Sequence, residues 1–378
     1  MEKKDKIYEE YYENGQLRFK TTYKDGKKEG VYEEYNWGGQ LAGKGTFKDG
    51  KQDGIFEEYY GNGQLWIKRT WKDGKQDGVY EEYYPNGQLY MKETHKDGKK
   101  EGVWKYYHED GQLAGKGRCK DGKLEGLWEH YHEDGQLRIK GTYKDGKKDG
   151  IFEEYYENGQ LRFKPTYKNG KYEGVWKTYY KDGQLRGKGT YKEDEKEGVW
   201  EWYYEEGQLN FKRTYKNGKL DGVWEHYDVY GQLWEKGAYK KDEKEGVWEQ
   251  CYVNGHLEFK GMYKDGKRDG LWEEYEEDGQ LWKKGTWKDG KQDGVSELYD
   301  EDGQVWSKRT YKDNKLIEKG TFKNGKLIEK ETIKDNMLDG VSEDYDEDGQ
   351  LWRKRTYKDG KLIKKEQRTD RDWETYCP

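Results

Sequence analysis

Three histidines stand near one another in this chain, His108, His130 and His132. Imidazole nitrogens hold transition metals, but one zinc needs every ligand nitrogen about 2.1 Å away. His130 and His132 alternate onto one face of an extended strand, and His108 stands 24 residues before His132. If 24 residues make one hairpin, equivalent columns in successive hairpins lie roughly 10 Å apart, so the three rings do not converge on an ion. Acidic corners such as Glu109-Asp110-Gly111 have the composition of calcium loops but not their repeated Asp spacing, and they read as turn formers. Cys119 stands where other repeats have Tyr143 and Tyr167, and Cys251 where they have Tyr227 and Tyr275, so both read as small apolar substitutes for a ring. The sequence has no Gly-x-Ser-x-Gly elbow and no phosphate loop, and nothing distinguishes one carboxylate pair from another. The expectation is a protein with no catalytic residue, no metal and no cofactor.

What must be positioned is a repeat. The decapeptide YYENGQLRFK occurs at 11–20 and again at 155–164, an offset of 144 residues, or six times 24. Glycines keep that register from Gly15 through Gly39 and Gly63 to Gly303. Such self-similarity marks a tandem array in which neighbouring units bury each other's apolar faces.

Composition alone points elsewhere, because 30% hydrophobic and 40% charged residues over 378 positions resemble a disordered chain. The 37 Tyr and 17 Trp argue for folding, since each buries roughly 150–250 Å² and they recur in register. Net charge is -6 with Lys and Glu interleaved and no basic patch, which argues against nucleic acid or anionic lipid as the main ligand. The opening MEKKDKIYEEYY has no apolar core of a secretion signal, and no segment approaches the roughly 18 apolar residues of a membrane span. A soluble cytoplasmic protein without membrane insertion is expected.

Residues 150–170, GIFEEYYENGQLRFKPTYKNG, contain two β-prone runs separated by Asn158-Gly159 and closed by Asn169-Gly170. Asn-Gly between such runs predicts a two-residue type I′ hairpin. In the first repeat that turn places Tyr12 opposite Leu17, Tyr11 opposite Arg18, Glu10 opposite Phe19 and Glu9 opposite Lys20. One face then gathers Tyr8, Tyr12, Leu17 and Phe19 with the later column Trp104, Trp128, Trp176, Trp200, Trp224, Trp248 and Trp272. The reverse face carries a lysine ladder (Lys20, Lys44, Lys68 and onward) against Glu9, Glu33, Glu57, Glu81, Glu129 and Glu153, with Tyr35, Tyr59 and Tyr83 among them.

The expected fold class is all-β: tandem 24-residue β-hairpin repeats stacked into an elongated, twisted single-layer antiparallel sheet that coils as a solenoid-like superhelix. Regular repeats occupy 1–303. Between Gly303 and Gly349 the chain shows an 11-residue repeat, YKDNKLIEKGTFKNGKLIEKETIKDN (311–336), predicting shortened, irregular hairpins over 304–340; Ser296 and Ser342 replace Trp nearby. A terminal repeat and cap fill 341–378, in one continuous repeat domain.

The stretch GKYEGVWKTYYKDGQLRGKGTYK (170–192) resembles the MORN repeat, and in particular the bacterial variant found in YwqK-type antitoxin proteins. The resemblance runs from about residue 7 to 365. It implies stacked hairpins serving as a non-catalytic scaffold, with a protein partner that in some bacterial members is a toxin. Because Trp and Tyr dominate interface hot spots, the expected partner-binding residues are the seven column tryptophans, Trp104, Trp128, Trp176, Trp200, Trp224, Trp248 and Trp272, with Tyr156, Tyr180 and Tyr204. The hairpins also resemble choline-binding repeats, whose rings cage a quaternary amine, which makes cell-envelope carbohydrate or choline the alternative ligand.

Overall fold

The computed structural model describes residues 6–369 and 372–376. They are all strands and turns, with every strand pair antiparallel. The chain divides into two compact units, Met1–Glu195 and Lys196–Pro378. In each, strands pair in chain order, so Leu17–Lys24 lies between Lys6–Tyr11 and Lys27–Tyr35.

Two kinds of corner alternate, and one of them departs from the sequence expectation. At Asp25-Gly26 both residues take left-handed φ, +48° and +79°, giving the type I′ turn. Asn169-Gly170 does the same at +50° and +87°. At Asn14-Gly15 only the glycine is left-handed, at +83°. Gly15 N donates to Tyr12 O at 2.9 Å and Tyr12 N to Gln16 O at 2.8 Å, which closes a three-residue loop. The Asn14 side chain holds this geometry: its Oδ1 accepts from Gln16 N at 3.1 Å while its Nδ2 donates to Trp37 O, one repeat on, at 3.0 Å.

The larger loop shifts the register. Glu9 faces Lys20 and Glu10 faces Phe19, as expected, but Tyr11 faces Leu17 and Arg18 is left unpaired as a bulge. The same shift recurs in later repeats, leaving Trp66, Trp282 and Trp306 outside the ladder. A bulge re-aims the side chain it carries.

In each unit the core is a column of rings on one face of the strands. Phe56, Phe152, Trp200, Trp248 and Trp272 are buried in it. A ring needs space beside it in a single sheet, and the neighbouring strand supplies glycine: a Cβ on Gly45 would collide with Phe56, one on Gly237 with Trp248 and one on Gly261 with Trp272. Lysine and arginine stems close the outer side. Lys148 Nζ lies 4.9 Å from the Phe152 centroid, Lys244 Nζ 3.7 Å from Trp248, and Arg268 Cζ 4.0 Å from Trp272. Each such contact contributes about 0.5–2 kcal/mol and removes apolar area from water.

Over 304–340 the strands are not cut back: Lys315–Lys323, Lys326–Lys334 and Met337–Tyr345 are nine residues each. The period shortens because the three-residue corner is gone; Asp313-Asn314, Asn324-Gly325 and Asp335-Asn336 all have left-handed φ at both positions. Ser342, in the ring column, is buried opposite Arg355, whose guanidinium bonds Asp344 at 3.0 Å. Of the tail, Trp373–Tyr376 pairs with Lys361–Arg368, as a capping strand would, while Cys377 lies outside the described residues.

Trp248→Ala should therefore cost about 3–5 kcal/mol, and Trp306→Ala under about 1 kcal/mol. Because repeat arrays need not unfold in one step, hydrogen exchange of Glu243–Cys251 and Leu257–Lys264 is the suitable readout.

Candidate functional site

The ten residues expected to bind a partner fall into two groups. Trp200, Trp248 and Trp272 are 1%, 0% and 2% exposed and offer no surface to a partner. Trp248 Nε1 donates to Ala238 O and Trp272 Nε1 to Met262 O, each at 3.1 Å, so even their polar edges serve the sheet. Trp104, Trp128, Trp176 and Trp224 are half-buried, as are Tyr156, Tyr180 and Tyr204. Tyr156 OH donates to Tyr179 O and Tyr204 OH to Tyr227 O, at 2.9 and 3.0 Å, tying each corner to the next repeat.

The aromatic surface that remains open comes from the bulge. Trp66 and Tyr90 in the first unit and Trp234, Trp282 and Trp306 in the second hold this bulge position of their repeats and are 37–42% exposed. Corner residues brace them: Tyr60 lies 5.7 Å from Trp66 and Tyr84 lies 5.1 Å from Tyr90, centroid to centroid. The sequence holds a signal for this column, because its occupants range over Arg18, Ala42, Trp66, Arg162, Glu258 and Trp282. Packing does not dictate a position so varied; the ring column, aromatic in every repeat from Tyr8 to Trp272, is the one packing dictates.

On the reverse face the charge ladder is realised as bonded triads. Glu153 accepts from Lys140 at 2.7 Å, Lys164 at 2.8 Å and Tyr155 OH at 2.8 Å. Partial burial pushes its carboxyl upward, but those hydrogen bonds outweigh it and hold the group at about 2. Glu297 is held at about 2 by the same balance, with Lys284, Lys308 and Tyr299 as donors. Beside the triads runs an aliphatic column that sequence reasoning missed; Val31, Val103, Leu127, Ile151 and Val175 are all more than half exposed.

The histidines do not form a centre. His130 stacks on Trp128 with centroids 6.0 Å apart, and burial, then Arg138, push its pKa down, so it is neutral near pH 7. His108 and His132 take the corner position that Tyr156 holds elsewhere. Among the described residues no group of three or more His, Cys, Asp or Glu is arranged to hold a metal ion. Cys119 is buried and Cys251 half-buried, and desolvation raises both thiols, the behaviour of packing residues. No helix among the described residues is long and apolar enough to cross a membrane.

Alternating hairpin corners, one ring column and a lysine-glutamate reverse face define a β-hairpin repeat protein. The chain belongs to the MORN repeat variant family, whose profile matches residues 4–25, 52–73, 76–97, 100–119, 124–145, 148–169, 172–193, 196–217, 268–289, 292–313 and 338–359. This is a family of interaction repeats without an enzymatic activity of its own. No curated protein matches the chain. Among solved structures it is similar to the crystal structure of TcdB2-TccC3-Cdc42, with 12% identity and a TM-score of 0.16 over 97% of this chain and 23% of that one. It is also similar to a Tc holotoxin pore from Photorhabdus luminescens, with 11% identity and a TM-score of 0.18 over 94% of this chain and 24% of that one. The chain thus spans about a quarter of the length of these structures.

The depressed carboxyls carry a pH dependence. Their folded value lies below the ordinary 4.5, so their contribution is complete above that value and is lost as pH falls toward about 2. Thermal melts should drop through that window. The double variant Glu153→Gln/Glu297→Gln should melt lower at neutral pH and show a flatter acid slope.

Proposed function

We propose that this protein is a non-catalytic scaffold that holds a protein partner against its aromatic bulge column. The observation that carries the reading is a set of tryptophans left 37–42% exposed at whole-repeat intervals while Phe56, Phe152, Trp200, Trp248 and Trp272 of the ring column are buried. Exposed aromatic groups recurring on a rigid sheet mark an interaction surface, because Trp and Tyr bring large contact area at small entropic cost. The half-buried Trp104, Trp128, Trp176 and Trp224 and Tyr156, Tyr180 and Tyr204 would flank that contact. The concrete form of the scaffold is an antitoxin or immunity protein that sequesters a toxin in the cytoplasm, a role supported by the family resemblance. The alternative ligand, cell-envelope carbohydrate or choline, draws support from the cations already seated over rings, as Lys244 is over Trp248.

The test is affinity capture from native lysate with the full chain and with Trp66→Ala/Trp234→Ala. The scaffold reading expects a protein partner whose recovery falls about ten-fold in the variant with melting little changed, since interface tryptophans cost roughly 2 kcal/mol or more on truncation. Equal recovery by both proteins, or binding of a glycan or choline resin and no protein, would contradict it. Trp200→Ala is unsuitable here because that ring is core.

A further inference from the structure

Within the second unit two successive corners beside the bulge column are acidic at all three positions. In half of the three-residue corners the first residue is tyrosine, as at Tyr252, whose OH donates to Tyr275 O of the next repeat at 2.8 Å. The two following corners replace it with acids: residues 276–278 are Glu-Glu-Asp and residues 300–302 are Asp-Glu-Asp. Asp300 instead caps its own corner, accepting from Asp302 N and Gln304 N, whereas Glu276 makes no side-chain hydrogen bond among the described residues. The two corners face a shared groove of about 1080 Å³, walled by Trp282 and Trp306 with Tyr299 and Leu281. Gln280 Nε2 donates to Glu301 O at 2.7 Å and fixes one corner against the other.

Charge identifies the occupant. Six carboxylates line the groove and no lysine, arginine or histidine does. Among the described residues none of the six forms an ion pair, although on the reverse face Glu297 pairs with Lys284 and Lys308. Asp278 and Asp300 spend an oxygen on backbone N–H groups of their own corners, leaving Glu276, Glu277, Glu301 and Asp302 as free acceptors. The rings are disposed for cations as well: Lys283 Nζ already lies 5.3 Å from the Trp282 centroid, held there by Glu274 at 3.0 Å. Trp306, 41% exposed, carries no cation over its ring among the described residues.

We propose that this groove seats an extended protein segment bearing lysine or arginine, its cations resting on the corner carboxylates and over Trp306. The inference rests on the scaffold reading and names the chemistry of its partner. Spacing adds a constraint. Successive repeats lie roughly 10 Å apart, and a chain in the extended polyproline II conformation rises about 3.1 Å per residue with three residues per turn, so cations at every third position would share one face and meet successive acidic corners. Unpaired carboxylates around apolar rings favour such a segment through both Coulomb attraction and ring-cation contact, and the attraction is screened by salt.

The probe is a fluorophore-labelled Gly/Ser peptide with lysine at every third position, titrated into the full chain at low ionic strength. Its counterparts are the same peptide with glutamate for lysine, and free spermidine. The variant Glu276→Gln/Glu277→Gln/Glu301→Gln/Asp302→Asn removes charge without touching the capping oxygens, and Glu109→Gln/Asp110→Asn in the first unit controls for general acidity. The proposal expects binding of the lysine peptide alone, weakened at least about ten-fold by the quadruple variant and by Trp306→Ala, and unchanged by the control. No binding, equal loss in the control, or spermidine binding as tightly as the peptide would overturn it. Circular dichroism and melting of each variant separate loss of the site from loss of fold. Capture of a lysate partner that the quadruple variant retains would overturn this site and leave the scaffold reading standing. Failure of capture with intact peptide binding would do the reverse.

Discussion

The rest of the structure depends on a glycine in the left-handed region at the three-residue corner. Gly15 and its equivalents close a loop one residue longer than the type I′ turns at Asp25-Gly26. A strand returning from the longer loop must carry one residue with no partner, and in each full repeat that residue is the bulge. A side chain other than glycine would strain this backbone, and a two-residue loop would erase the bulge. Alternating corners thus set the period, the two faces and the row of side chains thrown clear of the ladder.

Burial in a sheet one strand thick is possible because each ring is enclosed by its neighbours in the plane. Glycine on the adjacent strand lets Trp248 or Trp272 lie flat against backbone, tyrosines from flanking strands meet the ring edge-on, and a basic stem crosses the outside. The bonded Lys-Glu-Tyr triads behind fix register, since a one-residue slip would put charges among the rings. Stability therefore draws on one aromatic set and recognition on another, so that the binding row is free to vary in sequence without loosening the sheet.

Much of this was legible in the residues. The 24-residue period, the antiparallel hairpins, the ring face and the interleaved ladder all follow from spacing and alternation. The bulge did not, because Asn14-Gly15 matches the strongest signal for a two-residue turn; the Asn14 side chain bonding Gln16 N and the next repeat decides for the longer loop. That one residue moved the functional reading. Reading Trp200 and Trp248 as reachable followed from treating a single layer as open on both sides, whereas Lys196 and Lys244 from the same hairpins cover them. The equivalents of Trp66 in other repeats, Arg18, Ala42, Arg162 and Glu258 among them, carried the better signal, since positions fixed by packing do not alternate among Arg, Ala, Glu and Trp.

Hydroxyl-radical footprinting resolved to single residues tests the division between core and exposed rings most directly. The account predicts rapid oxidation at Trp66, Trp234, Trp282 and Trp306 and protection of Trp200, Trp248 and Trp272 in the same molecule. Equal reactivity of the two columns, or protection of the bulge residues with the ring column open, would contradict it.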